Sequence, residues 1–119
     1  MPRNVLAYLN DIVEACDAVA VTLRGVDIAT YAANRTTRSA VEREFTIIGE
    51  AVNSISRIDP ELAARISHGR KIVGFRNQLV HDYPAIIDDT VWAIADRDAP
   101  ILREECSALI DELRRAAAG

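Results

Sequence analysis

Cysteine is nearly absent: Cys16 and Cys106 are the only two. They stand far apart in sequence, each inside an apolar periodic run, so neither a disulfide scaffold nor a thiolate metal cage is expected. A reducing compartment follows. Histidine is equally sparse, with His68 and His81 alone, and no HxxxH or CxxC spacing offers ligands to a metal. No metal and no cofactor are expected. Long apolar runs are missing too, so no span approaches membrane length. The N-terminal stretch MPRNVLAYLNDIVEACDAV carries acids and a helical rhythm where a secretory signal needs an unbroken apolar core. The expected location is the cytoplasm. Alternating β-branched runs bounded by hairpin turns do not occur, internal repeats are absent, and the terminal AAAG is the one low-complexity stretch.

What is present fits a single domain over residues 1–119. Half of the 119 residues are apolar, enough for a core without staples. The net charge of −4 argues against coating nucleic acid by bulk electrostatics. The distribution is uneven, however. From Arg57 to His81 the cations Arg57, Arg65, Arg70, Lys71 and Arg76 face only Asp59 and Glu61, which makes this window +3 and leaves −7 for the rest.

Helical periodicity dominates and predicts an all-α fold, an antiparallel bundle of about five helices. Val5, Leu6, Leu9, Ile12, Val13, Cys16, Val19, Ala20 and Leu23 form a first amphipathic helix that Gly25 ends, with Cys16 in the core. Asp27 caps a short helix through about Ala33, and the polar connection NRTTRS follows. A long helix from about Thr37 to Ile58 carries the stripe Val41, Phe45, Ile48, Val52 and Ile55, widened by Ile47, Ala51 and Ile58. Gly49 in its middle is either a tolerated glycine or a point of close approach. Asp59-Pro60-Glu61 starts a short helix over Leu62 to Ile66. Another runs from Lys71 to about His81, where Pro84 disfavours continuation. Trp92, Ala95, Ala99, Leu102, Cys106, Leu109 and Leu113 hold one register across Pro100, which predicts one kinked helix with Trp92 in the core.

The segment Gly74 to Pro84 concentrates the chemistry. Arg76 can hold a phosphodiester bidentately, and His81 is the side chain that passes protons near neutrality. Metal-free RNA cleavage needs these two roles: activation of the ribose 2′-hydroxyl and stabilisation of a pentacoordinate phosphorus, with protonation of the leaving 5′-oxygen. On a helix, Arg76 and His81 lie about 140° apart. Asn77 shares a face with His81, and Tyr83 aligns with Arg76 if the helix extends that far. One copy therefore looks incomplete, and a homodimer with two copies across a two-fold cleft would complete the site. From the residues alone a second reading stands, in which these groups merely complement a helix C-terminus. His68 is either a loop histidine or an RNA contact beside Arg70 and Lys71.

At Arg76, Asn77, His81 and Tyr83 the chain resembles the HEPN superfamily, specifically the HepT-type toxins of bacterial toxin–antitoxin pairs. The blocks Ala40-Val41-Glu42-Arg43, Ile47-Ile48-Gly49-Glu50-Ala51 and Val91-Trp92 extend the likeness over most of the chain. The resemblance implies a helical HEPN bundle that dimerises so that both R-x4-H motifs line one cleft and cut RNA without metal. It makes Arg76 and His81 catalytic, Asn77 an organiser of the site and Glu50 a neighbour. It further implies an MntA-like nucleotidyltransferase antitoxin that transfers AMP to Tyr83, placing a bulky anion beside Arg76. The chain departs from the pattern at Ser67-His68-Gly69-Arg70-Lys71, which lacks a tryptophan often found there, and at Pro84 directly after Tyr83. Two other functions remain open from sequence: a non-catalytic nucleotide- or protein-binding HEPN module, and a structural dimer that anchors a nucleotidyltransferase.

Overall fold

The computed structural model describes residues 3–66 and 88–119. Helix α1 spans Val5–Thr22, α2 Ile28–Ala33, α3 Arg35–Ile58, α4 Pro60–Ala63 and α5 Asp88–Ala118. Among the described residues there is no strand, and the fold is the expected all-α helical bundle. The expected helix over Lys71 to His81 lies outside the described residues.

Helix starts follow local capping chemistry. The Asn4 carboxamide accepts from the Ala7 amide at 2.9 Å, Asp27 from Thr30 at 2.8 Å and Asp59 from Leu62 at 3.1 Å, each satisfying an amide that the first turn leaves without an intrahelical partner. Helix α1 ends in a turn that closes at Gly25, whose φ of +72° suits a residue without Cβ. The connection between α2 and α3 is shorter than the expected NRTTRS. Asn34 alone ends α2, by donating its amide to the Tyr31 carbonyl, and starts α3, by accepting from Thr37 at 3.1 Å. Helix α3 thus begins at Arg35, two residues before the expected start at about Thr37. The short helix after Asp59 likewise begins at Pro60, where a missing amide costs nothing, and closes by Ala63 rather than Ile66.

Packing follows the stripes. Val41, Phe45, Ile48, Val52 and Ile55 of α3 are buried with Ala51, whereas Ile58 is 51% exposed because the chain turns away at Asp59. Leu9, Ile12, Ala15, Cys16 and Val19 of α1 meet this face and also the buried face of α5, which includes Ala95, Ala99, Leu102, Cys106 and Leu109. Helix α1 runs antiparallel to both neighbours. Asp17 pairs with Arg103 at 2.6 Å near the middle of α5, while the Trp92 indole at its start donates to the Val26 carbonyl at 3.1 Å, beyond the end of α1. Trp92 is therefore half-buried at the edge of the core, where its N–H finds a partner, rather than inside it. Contact between α3 and α5 is slight, so α1 joins them.

Helix α5 is continuous over 31 residues with Pro100 inside it. Proline removes the hydrogen bond to the Asp96 carbonyl, but both residues lie on the exposed face, where water can satisfy that oxygen. Among the described residues no helix is long and apolar enough to cross a membrane.

Candidate functional site

Of the residues singled out from sequence, Arg76, Asn77, His81, Tyr83, His68, Arg70 and Lys71 lie outside the described residues. Glu50 is described. It stands exposed on α3, beside a groove of about 270 Å³ between α1 and α3 that Arg3, Tyr8, Asp11, Ile47 and Ser54 also line. Arg3 donates to the Asp11 carboxylate at 2.6 Å and lies 4.8 Å from the centre of the Tyr8 ring, so its charge is committed locally. A second hollow continues along the same seam past Asp11, Glu14, Glu44 and Ile47. Among the described residues this seam is lined by four carboxylates and one guanidinium. Glu50 thus stands on a stretch whose described lining is mainly acidic.

Two of the five cations in the basic window are described. Arg57 donates to the Ser54 hydroxyl at 3.1 Å. Arg65 makes a two-pronged pair with Glu112 of α5, at 3.0 and 2.7 Å. The hydrogen bond from Arg65 holds the Glu112 carboxyl below the usual carboxylate range. Sequence gave no sign of this pair, because its members are 47 residues apart. Arg65 is thus a clamp in this structure rather than a free cation. The pair is exposed, and solvent screening makes it easy to open.

The flanks of the segment that carries the motif are firmly seated. Ile66 and Val91 are each 1% exposed, one after α4 and one in the first turn of α5. Arg65 is tied near the C-terminal end of α5, whereas Asp88 begins that helix. At 1.5 Å per residue these two levels of α5 are about 36 Å apart. The described bundle therefore holds the two flanks at opposite ends.

Candidate nucleophiles and ligands among the described residues are few. Burial pushes both the Cys16 and the Cys106 thiols up to about 12, so neither is a thiolate near neutrality. No group of three or more His, Cys, Asp or Glu side chains among the described residues is arranged to hold a metal ion.

Comparison with known proteins gives a consistent result. The family described as "Ribonuclease HepT-like" matches residues 8–109. The protein named "Putative RNase MJ1380" of Methanocaldococcus jannaschii is 33% identical over 103 residues, covering 87% of this chain and 94% of the relative. "Putative RNase MJ1216" of the same organism is 28% identical, with 93% of this chain and 91% of the relative covered. "Probable ribonuclease HepT" of Thermococcus cleftensis is 29% identical, with 87% and 93% covered. No solved structure matches significantly.

Proposed function

The chain belongs to the HepT-like ribonuclease family, and from that premise we propose that it is the toxin of a bacterial type VII toxin–antitoxin pair, a metal-independent endoribonuclease. The observation that carries the reading is the extent of the family match. It runs from residue 8 to residue 109 and so includes Arg76, Asn77, His81 and Tyr83 in their R-x4-H-x-Y spacing.

Each role follows from side-chain chemistry. Arg76 holds the scissile phosphate and offsets the charge that builds at pentacoordinate phosphorus. His81 moves the proton: the 2′-hydroxyl loses it as its oxygen attacks phosphorus, and the 5′-oxygen gains one as its bond breaks. The products are a 2′,3′-cyclic phosphate and a 5′-hydroxyl. Asn77 organises the site, and Glu50 supports it from α3. Arg70, Lys71 and His68 contribute RNA contacts. Two copies pair so that both motifs share one cleft. An MntA-like nucleotidyltransferase silences the site by joining AMP from ATP to the Tyr83 hydroxyl, with release of pyrophosphate. The protein works as a single domain in the cytoplasm.

The test is cleavage of total cellular RNA by purified protein in EDTA. Wild type is expected to generate cyclic phosphate ends, and Arg76→Ala and His81→Ala each to lose about 100-fold or more. If mass spectrometry shows Tyr83 unmodified and wild type still cuts nothing, the ribonuclease reading falls and a binding module takes its place.

A further inference from the structure

The one chemically active pair of the described bundle that this function leaves unused lies in the seam between α1 and α5. Cys16 and Cys106 are 3% and 0% exposed, and both thiols are free. Their separation in sequence hides a shared level in space. The Asp17–Arg103 ion pair and the Trp92–Val26 hydrogen bond set the antiparallel register of the two helices. In that register Cys16, next to Asp17, comes opposite the turn of α5 that follows Arg103 and contains Cys106. The Cys106 thiol is pushed up first by burial and second by its nearness to Cys16, in keeping with that register. Small side chains line the same seam, with Ala20 on α1 and Ala95 and Ala99 on α5. Small side chains at a helix seam favour the close backbone approach that a disulfide requires.

The two sulfurs differ in access. A groove of about 360 Å³ opens between α1 and α5, with Cys16, Ala20, Leu23, Ala99 and Pro100 among its lining and Asp17 and Arg103 at its rim. Cys16 borders this groove, whereas Cys106 does not. We propose that Cys16 and Cys106 form a dithiol that a small hydroperoxide, entering by this groove, converts into a disulfide bracing α1 to α5.

The Cys16 sulfur, as thiolate, attacks the distal peroxide oxygen. The O–O bond breaks, an alcohol or water leaves after protonation, and Cys16 becomes a sulfenic acid. The Cys106 thiolate then attacks the Cys16 sulfur and displaces hydroxide, which is protonated to water. Peroxide is reduced by two electrons and the two thiols are oxidised by two. Because burial keeps both thiols protonated near neutrality, the reaction is slow and the resting state is the dithiol.

The test exposes the full-length chain, fully reduced, to excess cumene hydroperoxide for hours. The protein is then denatured, alkylated with iodoacetamide and weighed intact. The expected product is 2 mass units lighter than the starting chain by the chemistry of disulfide formation, carries no alkyl group, and yields a linked Cys16–Cys106 peptide. Its Tm is raised by about 5 °C or more, since the bridge closes a long loop. Cys106→Ser should stop the mass loss and leave Cys16 as a trappable sulfenic acid. The proposal is overturned if wild type takes two alkyl groups after treatment, if oxygen accumulates on Cys16 without loss of Cys106, or if the bridge forms only between two chains.

Discussion

Phe45 shows at the level of one side chain how α3 is held. It is fully buried at the centre of the α3 stripe, so Phe45→Ala removes apolar contact and leaves a cavity. A loss of about 3–5 kcal/mol is expected in urea unfolding. A loss below about 1 kcal/mol would mean that the site collapses around the gap. The two thiols give a pH signature. In the unfolded chain they ionise near their ordinary value of 9, but in the folded chain only near about 12. Stability from keeping them neutral is therefore intact below pH 9 and is lost progressively as pH rises from 9 towards 12. Thermal unfolding of the reduced protein should fall steeply over this range, and Cys16→Ala/Cys106→Ala should flatten the slope. An unchanged slope would place other groups behind the alkaline loss. Of the residues marked from sequence for function, Glu50 is the one the described structure places. Its acidic surroundings were not legible, since Arg3, Asp11 and Glu50 meet only when α1 lies against α3.

Helices were legible where the signal was local. Asp27 and Asp59 cap as their positions foretold, and the stripe of α3 is the face that is buried. Asn34 was harder to read because one residue both ends α2 and starts α3, which no single capping rule separates. Asn34→Ala should therefore cost about 1 kcal/mol or more, as seen by denaturant titration, with helical content falling in both elements. An effect of a few tenths would show that water replaces the cap. Pro100 leads to the opposite expectation. It interrupts α5 on its exposed face, so Pro100→Ala restores a backbone hydrogen bond without disturbing the core. Stabilisation of about 1–3 kcal/mol is expected from unfolding curves. Destabilisation would mean that the interruption shapes the packing of Ala99 and Leu102 on α1.

Across the whole molecule, the all-α class and the family were legible because periodicity and motif spacing are written along the chain. The cross-links between distant parts were not. Arg65 meets Glu112, Trp92 meets Val26 and Arg103 meets Asp17 only through tertiary approach, and no pattern near any of these residues announces its partner. These contacts give the bundle its order: α1 in the middle, α3 and α5 on either side and scarcely touching. Such an arrangement sets a sequence of events during synthesis. The helix made early can pair with α3 as soon as α3 emerges, yet its second flank, with Cys16, has no surface to settle on until α5 has been made. Contacts so distant along the chain slow folding and leave apolar surface waiting. A chain of a ribonuclease family is itself made on a template of RNA, and this topology leaves the described bundle incomplete until the codons for α5 have been read.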